Sequence, residues 1–294
     1  MSLRPAILIY NPKSGRHGAG GLVPKLVEQL RVSGYDATPE ATRAPGDATE
    51  IARRHAVRGD IEVAFAVGGD GTLREVAKGL LDSDVVLGPL PSGTANVLSI
   101  SLGLPRRALA AAKAMHEAEP RPIDVGLAGA EPFLMMVSAG LEAAVMKAPN
   151  PTLKRWLGPV GIGISGVAEL LRYRFPVCRI RVDDDEIETP FFSACNIALF
   201  GGPFAIAPEA DHRDGRLDLV TFRRPGRWPT FRFALGVLTG RHLRDPDVSV
   251  GPFEALEILG PLPYGLQMDG DVLPLAPPIR ITVDSGRLRV MSRR

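Results

Sequence analysis

Apolar runs in the first hundred residues alternate with glycine-containing loops and helix-forming stretches. Three runs are each followed at once by such a loop: AILIY (6–10) by NPKSG (11–15), IEVAFAV (61–67) by GGDGT (68–72), and DVVLGPL (84–90) by PSGTAN (91–96). YDATPEAT (35–42) is a further candidate strand, and GDATEIARRHAVRG (46–59) is predicted to form a helix that ends at Gly59. Strands that alternate with helices form a parallel sheet with helices on its faces. The pattern therefore predicts an α/β domain at residues 1–123.

The three loops are predicted to form one binding site. The carboxyl ends of parallel strands meet at one edge of a sheet, and that edge is where such folds bind ligands. Glycines let the backbone approach a phosphate closely, and helix N-termini offer free N–H donors. The residues predicted to line a nucleotide pocket are Asn11, Ser14, Gly15, Gly68, Gly69, Gly71, Thr72, Gly93 and Thr94.

Asp70 is the one carboxylate in these loops and needs a separate explanation. A carboxylate lies near phosphate where a Mg²⁺ ion separates them, or where it orients or deprotonates a nucleophile. The alternative is local, since Asp-Gly is a common turn pair and acidic residues are favoured in the first turn of a helix. One loop alone would favour that alternative, whereas three equivalent loops on successive strand–helix units favour a nucleotide site.

Residues from about 124 onward are predicted to form a second, β-rich domain that ends near residue 279. Short alternating runs such as RLDLVTF (216–222) and FEALEILG (253–260) are typical of strands. Two helical blocks, near 151–173 and near 228–240, interrupt the β pattern.

Composition excludes several classes of protein. The net charge of +2 is too small to indicate a nucleic-acid partner, and no window holds the roughly 18 apolar residues that a membrane span needs. The histidines are scattered, and Cys178 and Cys195 form no CxxC pair, which argues against structural zinc. The N-terminal run lacks a signal-peptide cleavage site, so we expect reduced cysteines and a cytoplasmic protein. The oligomeric state stays open, a homodimer included.

The order and spacing of these segments resemble those of the bacterial diacylglycerol kinase-like lipid kinases, whose superfamily also contains sphingosine and ceramide kinases. The matching N-terminal segments are NPKSG, Thr42 with GDA (46–48), GGDGT and PSGTAN. The C-terminal half continues the match with KRWLGPVG (154–161), NIALFGGPFAIAPEADHRDGRLDLV (196–220) and QMDGD (267–271). GGDGT alone is shared with NAD kinases and phosphofructokinases, but the full set is specific.

The resemblance implies an N-terminal Rossmann-like, phosphofructokinase-like α/β domain that binds ATP and a C-terminal β-sandwich that carries the lipid site. It places the active site in the cleft between them, and it implies that the last strands, near 280–294, return to the first domain. It also implies Mg²⁺-dependent transfer of the γ-phosphoryl group to a lipid hydroxyl, with a diacylglycerol-like acceptor and transient contact with a membrane surface.

Residue by residue, the resemblance assigns three groups. The nucleotide-binding positions are Asn11, Pro12, Lys13, Ser14, Gly15, Thr42, Gly68, Gly69, Asp70, Gly71, Thr72, Leu73, Arg74 and Thr94. The catalytic positions are Asp271, which matches the proposed general base, and Asp70. The positions of a structural Mg²⁺ site are Asp214, with its carboxylate, and the carbonyls near Asp211 and Arg216, with Asp218 as a nearby candidate.

Four positions depart from the family pattern. Asp271 stands where glutamate is usual, Arg74 replaces an asparagine after GGDGT, and Val97 replaces an aspartate after PSGTAN. The family's glycine-rich GIGFDA segment is VSAGLEAAV (137–145) here, with Glu142 where aspartate is expected. Arg74 could contact a phosphate or lie on the helix surface.

Simpler interpretations stay open at other positions. Asp271 lies in DGD between two β runs, which is good hairpin chemistry, and Asp211 and Asp214 fit an ordinary solvated loop. The segment RRPGRWPTFRFALGVLTGRHLR (223–244) mixes arginines with aromatic residues, as a helix on an anionic membrane does. A core-packed amphipathic helix with a basic rim is the more common arrangement, and we prefer it at this stage.

Three other functions compete with a lipid kinase. An NAD kinase shares GGDGT and the two-domain plan, but its asparagine–glutamate motif and glycine–serine–threonine segment are not found here. A nucleotide-binding regulatory protein with weak or lost catalysis is the second alternative, suggested by Val97 and Asp271. A kinase of a small soluble polyol is the third.

Overall fold

The protein is described by a computed structural model that covers residues 3–12, 21–147, 166 and 168–294. The chain divides into two compact units. The first unit comprises Met1–Ile123 and Gly286–Arg294, and the second comprises Asp124–Ser285.

The first unit is built on a parallel sheet. Its first four strands are β1 (Arg4–Tyr10), β2 (Tyr35–Ala41), β3 (Val63–Gly68) and β4 (Val86–Pro91). They are arranged in the order β2-β1-β3-β4, and neighbouring strands are parallel. Every residue of β3 and β4 is buried, as expected for central strands covered on both faces. The α/β prediction for the N-terminal region is confirmed.

The first unit also contains five helices in the described residues. They are α1 (Val23–Val32), α2 (Asp47–Arg58), α3 (Asp70–Leu80), α4 (Val97–Ser101) and α5 (Ala108–Ala114). Helix α2 ends at Gly59, which adopts the left-handed conformation (φ 64°) that favours glycine. Helix α4 begins only after Asn96, whose φ of 52° is left-handed.

Helices α2 and α3 pack closely because α3 carries a glycine where they meet. A Cβ atom on Gly79 would collide with the carbonyl oxygen of Thr49 and would lie 2.7 Å from the Cβ of Ala52. The side-chain hydroxyl of Thr49 also donates a hydrogen bond to the carbonyl of Glu75 in α3 (2.8 Å). This contact fixes α3, the helix that follows GGDGT, against its neighbour.

The second unit is predominantly β. Its strands are β5 (Glu119–Ala128), which begins in the first unit, β6 (Glu131–Phe133), β7 (Met136–Ala139), β8 (Cys178–Val182), β9 (Asp185–Thr189), β10 (Phe191–Cys195), β11 (Leu199–Phe200), β12 (Phe204–Ala205), β13 (Leu217–Phe222), β14 (Val248–Phe253), β15 (Leu256–Gly260), β16 (Leu266–Met268) and β17 (Asp271–Leu273). Helix α6 (Leu141–Lys147) follows β7, and α7 (Arg227–Thr239) follows β13. A 3₁₀ turn (His242–Arg244) follows α7.

The strands of the second unit form a sandwich. One sheet has the order β14-β13-β10-β7-β16-β17, and β8, β9 and β15 belong to the other sheet. Side chains such as Phe192, Leu219 and Ile258 fill the core between the sheets. A second core, around Phe222 and Phe233, lies between the six-stranded sheet and α7. The β-sandwich prediction is confirmed, and the helix predicted near 228–240 is α7, whereas 151–165 lie outside the described residues.

The last strand, β18 (Ile279–Ser292), contributes to both units. Its first part pairs antiparallel with β15 in the second unit, where Leu256 faces Ile281. Its last part enters the first unit, where Val290 pairs parallel with Leu87 of β4. Of the two C-terminal runs expected to return to the first domain, RLRVM (287–291) lies in the first unit and IRITV (279–283) in the second.

We expect Gly79→Ala to destabilise the first unit by about 1–3 kcal/mol, the usual cost of forcing a methyl group into a packed contact. Urea denaturation monitored by circular dichroism measures this. The matched control is Gly21→Ala, because a Cβ there meets no atom within 4 Å. Equal unfolding midpoints for the two variants would contradict close packing of α2 on α3.

Candidate active site

The carboxyl ends of the first four strands lie side by side. The N–H of Thr42, after β2, donates to the carbonyl of Tyr10 at the end of β1 (2.9 Å). The N–H of Asn11, after β1, donates to Val67 of β3 (3.4 Å), and the N–H of Ser92, after β4, donates to Gly68 of β3 (2.8 Å). The first residues after β1, β2, β3 and β4 therefore form a continuous row at one edge of the sheet.

The loops after β3 and β4 touch through their backbones at two glycines. A Cβ atom on Gly93 would lie 2.6 Å from the Cα of Gly69, a distance that real Cβ atoms do not show. A Cβ on Gly68 would collide with the side chain of Thr72. Gly93 is thus required for the two loops to approach each other, and Gly68 is required for the turn within GGDGT.

Asp70 links the same two loops. It is the first residue of α3, and its carboxylate accepts hydrogen bonds from the backbone N–H groups of Val97 (3.3 Å) and Leu98 (3.4 Å), which begin α4. Asn96, just before α4, donates from its side chain to the carbonyls of Gly93 (3.0 Å) and Arg106 (3.3 Å). Asp70 therefore both starts a helix, as the local interpretation requires, and caps the helix that follows the neighbouring loop.

The structure brings most of the predicted nucleotide-binding residues of the first unit to this edge. Pro12 and Thr94 are exposed. The partly buried residues are Asn11, Thr42, Gly69, Asp70, Gly71, Thr72 and Arg74. Gly68 is buried, and Leu73 is fully buried in the core, so only its backbone could contact a ligand. Lys13, Ser14 and Gly15 lie outside the described residues.

A cavity of the first unit lies elsewhere. It has a volume of about 460 Å³ and is lined by residues such as Arg4, Glu62 and Val85, which precede or begin strands. It therefore lies at the amino ends of the strands, opposite the predicted nucleotide loops. We assign the candidate site to the loops, because their glycines and N–H groups have the chemistry that phosphate requires.

Asp271, in the second unit, is the first residue of β17 and is exposed. It follows a tight hairpin in which Asp269 (φ 49°) and Gly270 (φ 91°) are both left-handed, the combination of a type I′ turn. The prediction of hairpin chemistry for DGD describes this turn correctly.

Asp269 anchors that hairpin, and the sequence analysis did not single it out. Its buried carboxylate accepts hydrogen bonds from three successive backbone N–H groups, those of Leu134 (2.8 Å), Met135 (2.9 Å) and Met136 (3.1 Å). Charge-assisted bonds of this kind are among the stronger hydrogen bonds in proteins. They fix the turn, and hence the start of β17, against the strand β7.

Glu142 is a second carboxylate on the same side of the fold, in the first turn of α6, which contacts β17. Its Oε1 atom is buried and has no hydrogen-bond partner in the described part of the chain. Burial raises the pKa of Glu142 to about 7, against a smaller opposing effect of hydrogen bonds from its own backbone and from Ser138. Sequence reasoning noted Glu142 only as a departure from the family's aspartate.

The predicted metal loop is held mainly by its own residues. The carboxylate of Asp211 is paired with Arg213 (3.1 and 3.2 Å), and Asp214 accepts a hydrogen bond from the N–H of Arg216 (3.0 Å). The described residues contain no group of three or more histidine, cysteine or acidic side chains that could hold a metal. A Mg²⁺ site here would have to rest on Asp214, backbone carbonyls and water, since the side chain of Asp211 is engaged by Arg213.

Two buried polar residues hold this loop against β5. Asp124 is 1% exposed, and its carboxylate accepts a hydrogen bond from the N–H of Gly215 (2.7 Å). The side chain of Asn196 donates to the carbonyls of Asp124 (2.9 Å) and Leu134 (2.8 Å). Burial also raises the pKa of Asp218, helped by the negative charges of Asp214 and Glu209. No sequence spacing indicates these contacts, which join residues far apart in the chain.

Two family models together match nearly the whole chain. The model described as the diacylglycerol kinase catalytic domain matches residues 5–128. The model described as the YegS C-terminal NAD kinase beta sandwich-like domain matches residues 135–292, more than half of the chain.

Similar proteins and structures have names from the same group. A diacylglycerol kinase of Bacillus subtilis is 29% identical over 274 residues, covering 92% of this chain and 90% of that protein. A YegS-like lipid kinase of Chromohalobacter salexigens is 32% identical over 222 residues, covering 74% and 70%. A crystal structure of a diacylglycerol kinase from Bacillus anthracis has a TM-score of 0.80 at 24% identity and covers 99% of this chain and 98% of its own, which shows the fold.

The chain belongs to the diacylglycerol kinase-like family of lipid kinases and is a kinase.

Proposed function

We propose that this protein transfers the γ-phosphoryl group of ATP, with Mg²⁺, to the hydroxyl of a diacylglycerol-like lipid. The observation that carries the proposal is the close backbone approach of Gly69 and Gly93, which leaves no room for a side chain at Gly93 between the loops after β3 and β4. Such an arrangement presents backbone N–H groups to an anion at the carboxyl edge of the sheet. The triphosphate of ATP is an anion of the kind that such N–H groups bind.

The nucleotide is proposed to lie across the row formed by Asn11, Thr42, the GGDGT loop and the loop of Thr94. The exposed and partly buried members of this row are accessible to a ligand. Arg74, in the first two turns of α3, supplies a positive charge close to the GGDGT loop. Most of the rate acceleration is expected to come from positioning and charge neutralisation, as is usual in phosphoryl transfer.

Asp70 is the residue of these loops that fits a Mg²⁺ ion. Its carboxylate accepts hydrogen bonds from Val97 and Leu98, at 3.3 and 3.4 Å, and a carboxylate offers about four lone-pair sites to donors and metal ions together. Mg²⁺ in kinases is commonly held by one or two carboxylates, water and the substrate phosphates, so a three-residue cluster is not required. When bound, the ion would neutralise charge on the phosphates.

Asp271 is proposed to accept the proton of the acceptor hydroxyl. It is exposed at the start of β17, and the three hydrogen bonds of Asp269 hold the preceding turn in place. A base must be held within hydrogen-bond reach of its proton, and a fixed hairpin limits its movement. The aspartate side chain is one methylene shorter than the family's glutamate, so this fixed position matters more here.

The acceptor class rests on the relatives. Several relatives, from Bacillus subtilis and from Staphylococcus species, are named diacylglycerol kinase, and another is named a YegS-like lipid kinase. NAD is kept as a second candidate acceptor, because the C-terminal family model is described as NAD kinase beta sandwich-like.

The experiment that tests the proposal is transfer of label from γ-labelled ATP with Mg²⁺. The acceptors are diacylglycerol, monoacylglycerol, phosphatidylglycerol, ceramide and sphingosine in mixed micelles, with NAD in parallel. Label in an organic-extractable product from diacylglycerol is the expected result. Label in NADP, or label in no product while ATP still binds, would contradict the proposed reaction.

We expect Asp271→Asn to lower kcat by roughly 10²–10⁴, the usual contribution of a general base, with little change in ATP affinity. Steady-state kinetics with saturating lipid measures the first quantity, and titration with a fluorescent ATP analogue measures the second. The matched control is Asp184→Asn, which makes the same change at the exposed tip between β8 and β9. Wild-type turnover by Asp271→Asn would eliminate the base assignment.

We expect Gly93→Ala to weaken ATP binding by about tenfold or more, because the new methyl group would force the loops after β3 and β4 apart. Calorimetric titration with ATP and Mg²⁺ measures the change. Gly251→Ala is the control, since a Cβ at Gly251 meets no atom within 4 Å. If Gly93→Ala bound ATP as tightly as the wild type, the nucleotide would have to bind away from these loops.

Glu142 makes the stability of the protein depend on pH. Its pKa is raised from 4.5 to about 7, so the folded protein binds more protons than the unfolded chain between these values. Stability is therefore expected to fall as pH rises from about 4.5 to about 7 and to stay lower above that range. The base role stays with Asp271, because Asp271 is exposed at the start of β17 and matches the family's proposed base.

We expect Glu142→Gln to remove this pH dependence, which is on the order of 2 kcal/mol between pH 5 and pH 8. Thermal unfolding at both pH values measures it, and the wild type should lose more stability at the higher pH than the variant does. Glu188→Gln, at an exposed position of β9, is the control and should behave like the wild type. A parallel pH response in all three proteins would contradict burial of the Glu142 carboxylate.

A further inference from the structure

Helix α7 exposes a stripe of large apolar side chains. Trp228 is 71% exposed, Phe231 42%, Leu235 48% and Leu238 56%. They recur at intervals of three and four residues, so they lie on one side of the helix. The rings of Trp228 and Phe231 stack with their centroids 5.8 Å apart. We call these four residues the apolar stripe of α7.

The opposite side of α7 is packed into the second unit. Phe233 stacks on Phe222 of β13 (4.9 Å between centroids) and contacts Phe191 of β10 (5.1 Å). Val237 is also buried in this core. The helix is therefore fixed by one apolar face, and the stripe cannot reach the core by rotation. The sequence-based preference for a helix packed only against the core describes one side of α7 and misses the other.

Arginines surround the stripe. They are Arg223, Arg224, Arg227, Arg232, Arg241 and Arg244, and all are exposed. Arg232 pairs with Asp245 and Asp247, Arg224 lies 3.6 Å from Asp247, and Arg227 donates to the carbonyl of Leu171. The guanidinium groups of Arg223, Arg241 and Arg244 form no ion pair with any residue that the structure describes. Asp245 and Asp247 offset only part of the charge of these arginines, so the rim around the stripe is positively charged.

We propose that the apolar stripe of α7 is the surface by which this protein docks on an anionic phospholipid bilayer. A helix with Trp, Phe and Leu on one face and arginines beside them has the composition of an interfacial membrane helix. The stripe would enter the region between headgroups and acyl chains, and the rim would contact lipid phosphates. The proposal rests on the proposed function in one respect, namely that the acceptor lipid resides in a membrane.

A second copy of this chain is a less suitable occupant of the stripe. In a two-fold symmetric contact the same patch faces itself, so the arginine rims of the two copies would meet. Repulsion between like charges opposes that arrangement, whereas an anionic lipid surface complements the rim. An exposed apolar patch with a basic rim is thus better matched by the bilayer.

The position of α7 also suits access to a lipid acceptor. Helix α7 covers β10 and β13, and Asp271 begins β17 in the same six-stranded sheet, three strands beyond β10 and four beyond β13. At about 4.8 Å per strand, Asp271 lies roughly 15–20 Å from the strands beneath α7. The docking surface and the proposed base are therefore both carried by the same six-stranded sheet. No helix in the described part of the chain has the length and apolar character of a membrane span.

Co-sedimentation with vesicles, without ATP, tests the proposal directly. The full chain is mixed with vesicles of phosphatidylcholine alone or of phosphatidylcholine with phosphatidylglycerol. We expect the double variant Trp228→Ser, Leu235→Ser to bind the anionic vesicles at least about tenfold more weakly than the wild type. The control is Val32→Ser, Val57→Ser, which removes two exposed apolar side chains of α1 and α2 (75% and 81% exposed). The control should bind like the wild type.

A charge-reversal pair tests the basic rim. We expect Arg241→Glu, Arg244→Glu to weaken binding to anionic vesicles by about tenfold or more, and added salt to weaken wild-type binding in the same way. The matched control is Arg31→Glu, Arg58→Glu, at exposed positions near the ends of α1 and α2. Equal binding of the two reversal variants, or equal wild-type binding to neutral and anionic vesicles, would overturn the role of the rim.

A soluble acceptor separates this proposal from the proposed function. Both docking variants should phosphorylate a short-chain diacylglycerol in solution at the wild-type rate while losing activity on vesicles. If neither the wild type nor any variant phosphorylated the soluble acceptor, the proposed kinase reaction would be wrong. The vesicle-binding results would still test the docking surface, because they are measured without ATP. If the Trp228→Ser, Leu235→Ser variant bound anionic vesicles as strongly as the wild type, the docking proposal would be wrong. The proposal would also be wrong if the wild type formed a dimer that the stripe variant did not form, because a second copy of the chain would then cover the stripe.

Discussion

The close approach of two backbones at Gly69 and Gly93 is the constraint on which the candidate site depends. It holds the loops after β3 and β4 against each other, and Asp70 reinforces it by capping α4 from the opposite loop. The sheet supplies the rest, because the hydrogen bonds of Thr42, Asn11 and Ser92 align the ends of all four strands. Each loop is thus placed by its neighbours as well as by its own turn residues.

The second unit uses a buried carboxylate for a comparable purpose. Asp269 satisfies three backbone N–H groups that follow β6, and a left-handed turn then directs the chain into β17. An ionised carboxylate can be buried in this way when hydrogen-bond donors surround it. Asp269 and Asp271 are two residues apart and do different work: one is inaccessible and structural, and the other is exposed where a substrate could reach it.

Local patterns predicted the fold classes of both units, because strand–helix alternation and alternating apolar runs are properties of neighbouring residues. They also predicted that the glycine loops would lie at one edge of the sheet, since parallel strands leave no other arrangement. They could not predict the contacts of Asp269 with residues 134–136, of Asp124 with Gly215, or the burial of Glu142. Those depend on residues that meet only after the chain has folded. The two-sided character of α7 was missed because apolar residues on both faces give no sequence signal of which face is covered.

The division of β18 between the two units has a consequence for synthesis on the ribosome. The first unit needs Leu288, Val290 and Met291, all buried beside β4, and these are made after the whole second unit. The glycine loops are thus carried on a sheet that lacks its fifth strand until translation has passed residue 291. A nascent chain can complete the later-made sandwich first, and chaperones would meet the unfinished parallel sheet with the open edge of β4 exposed.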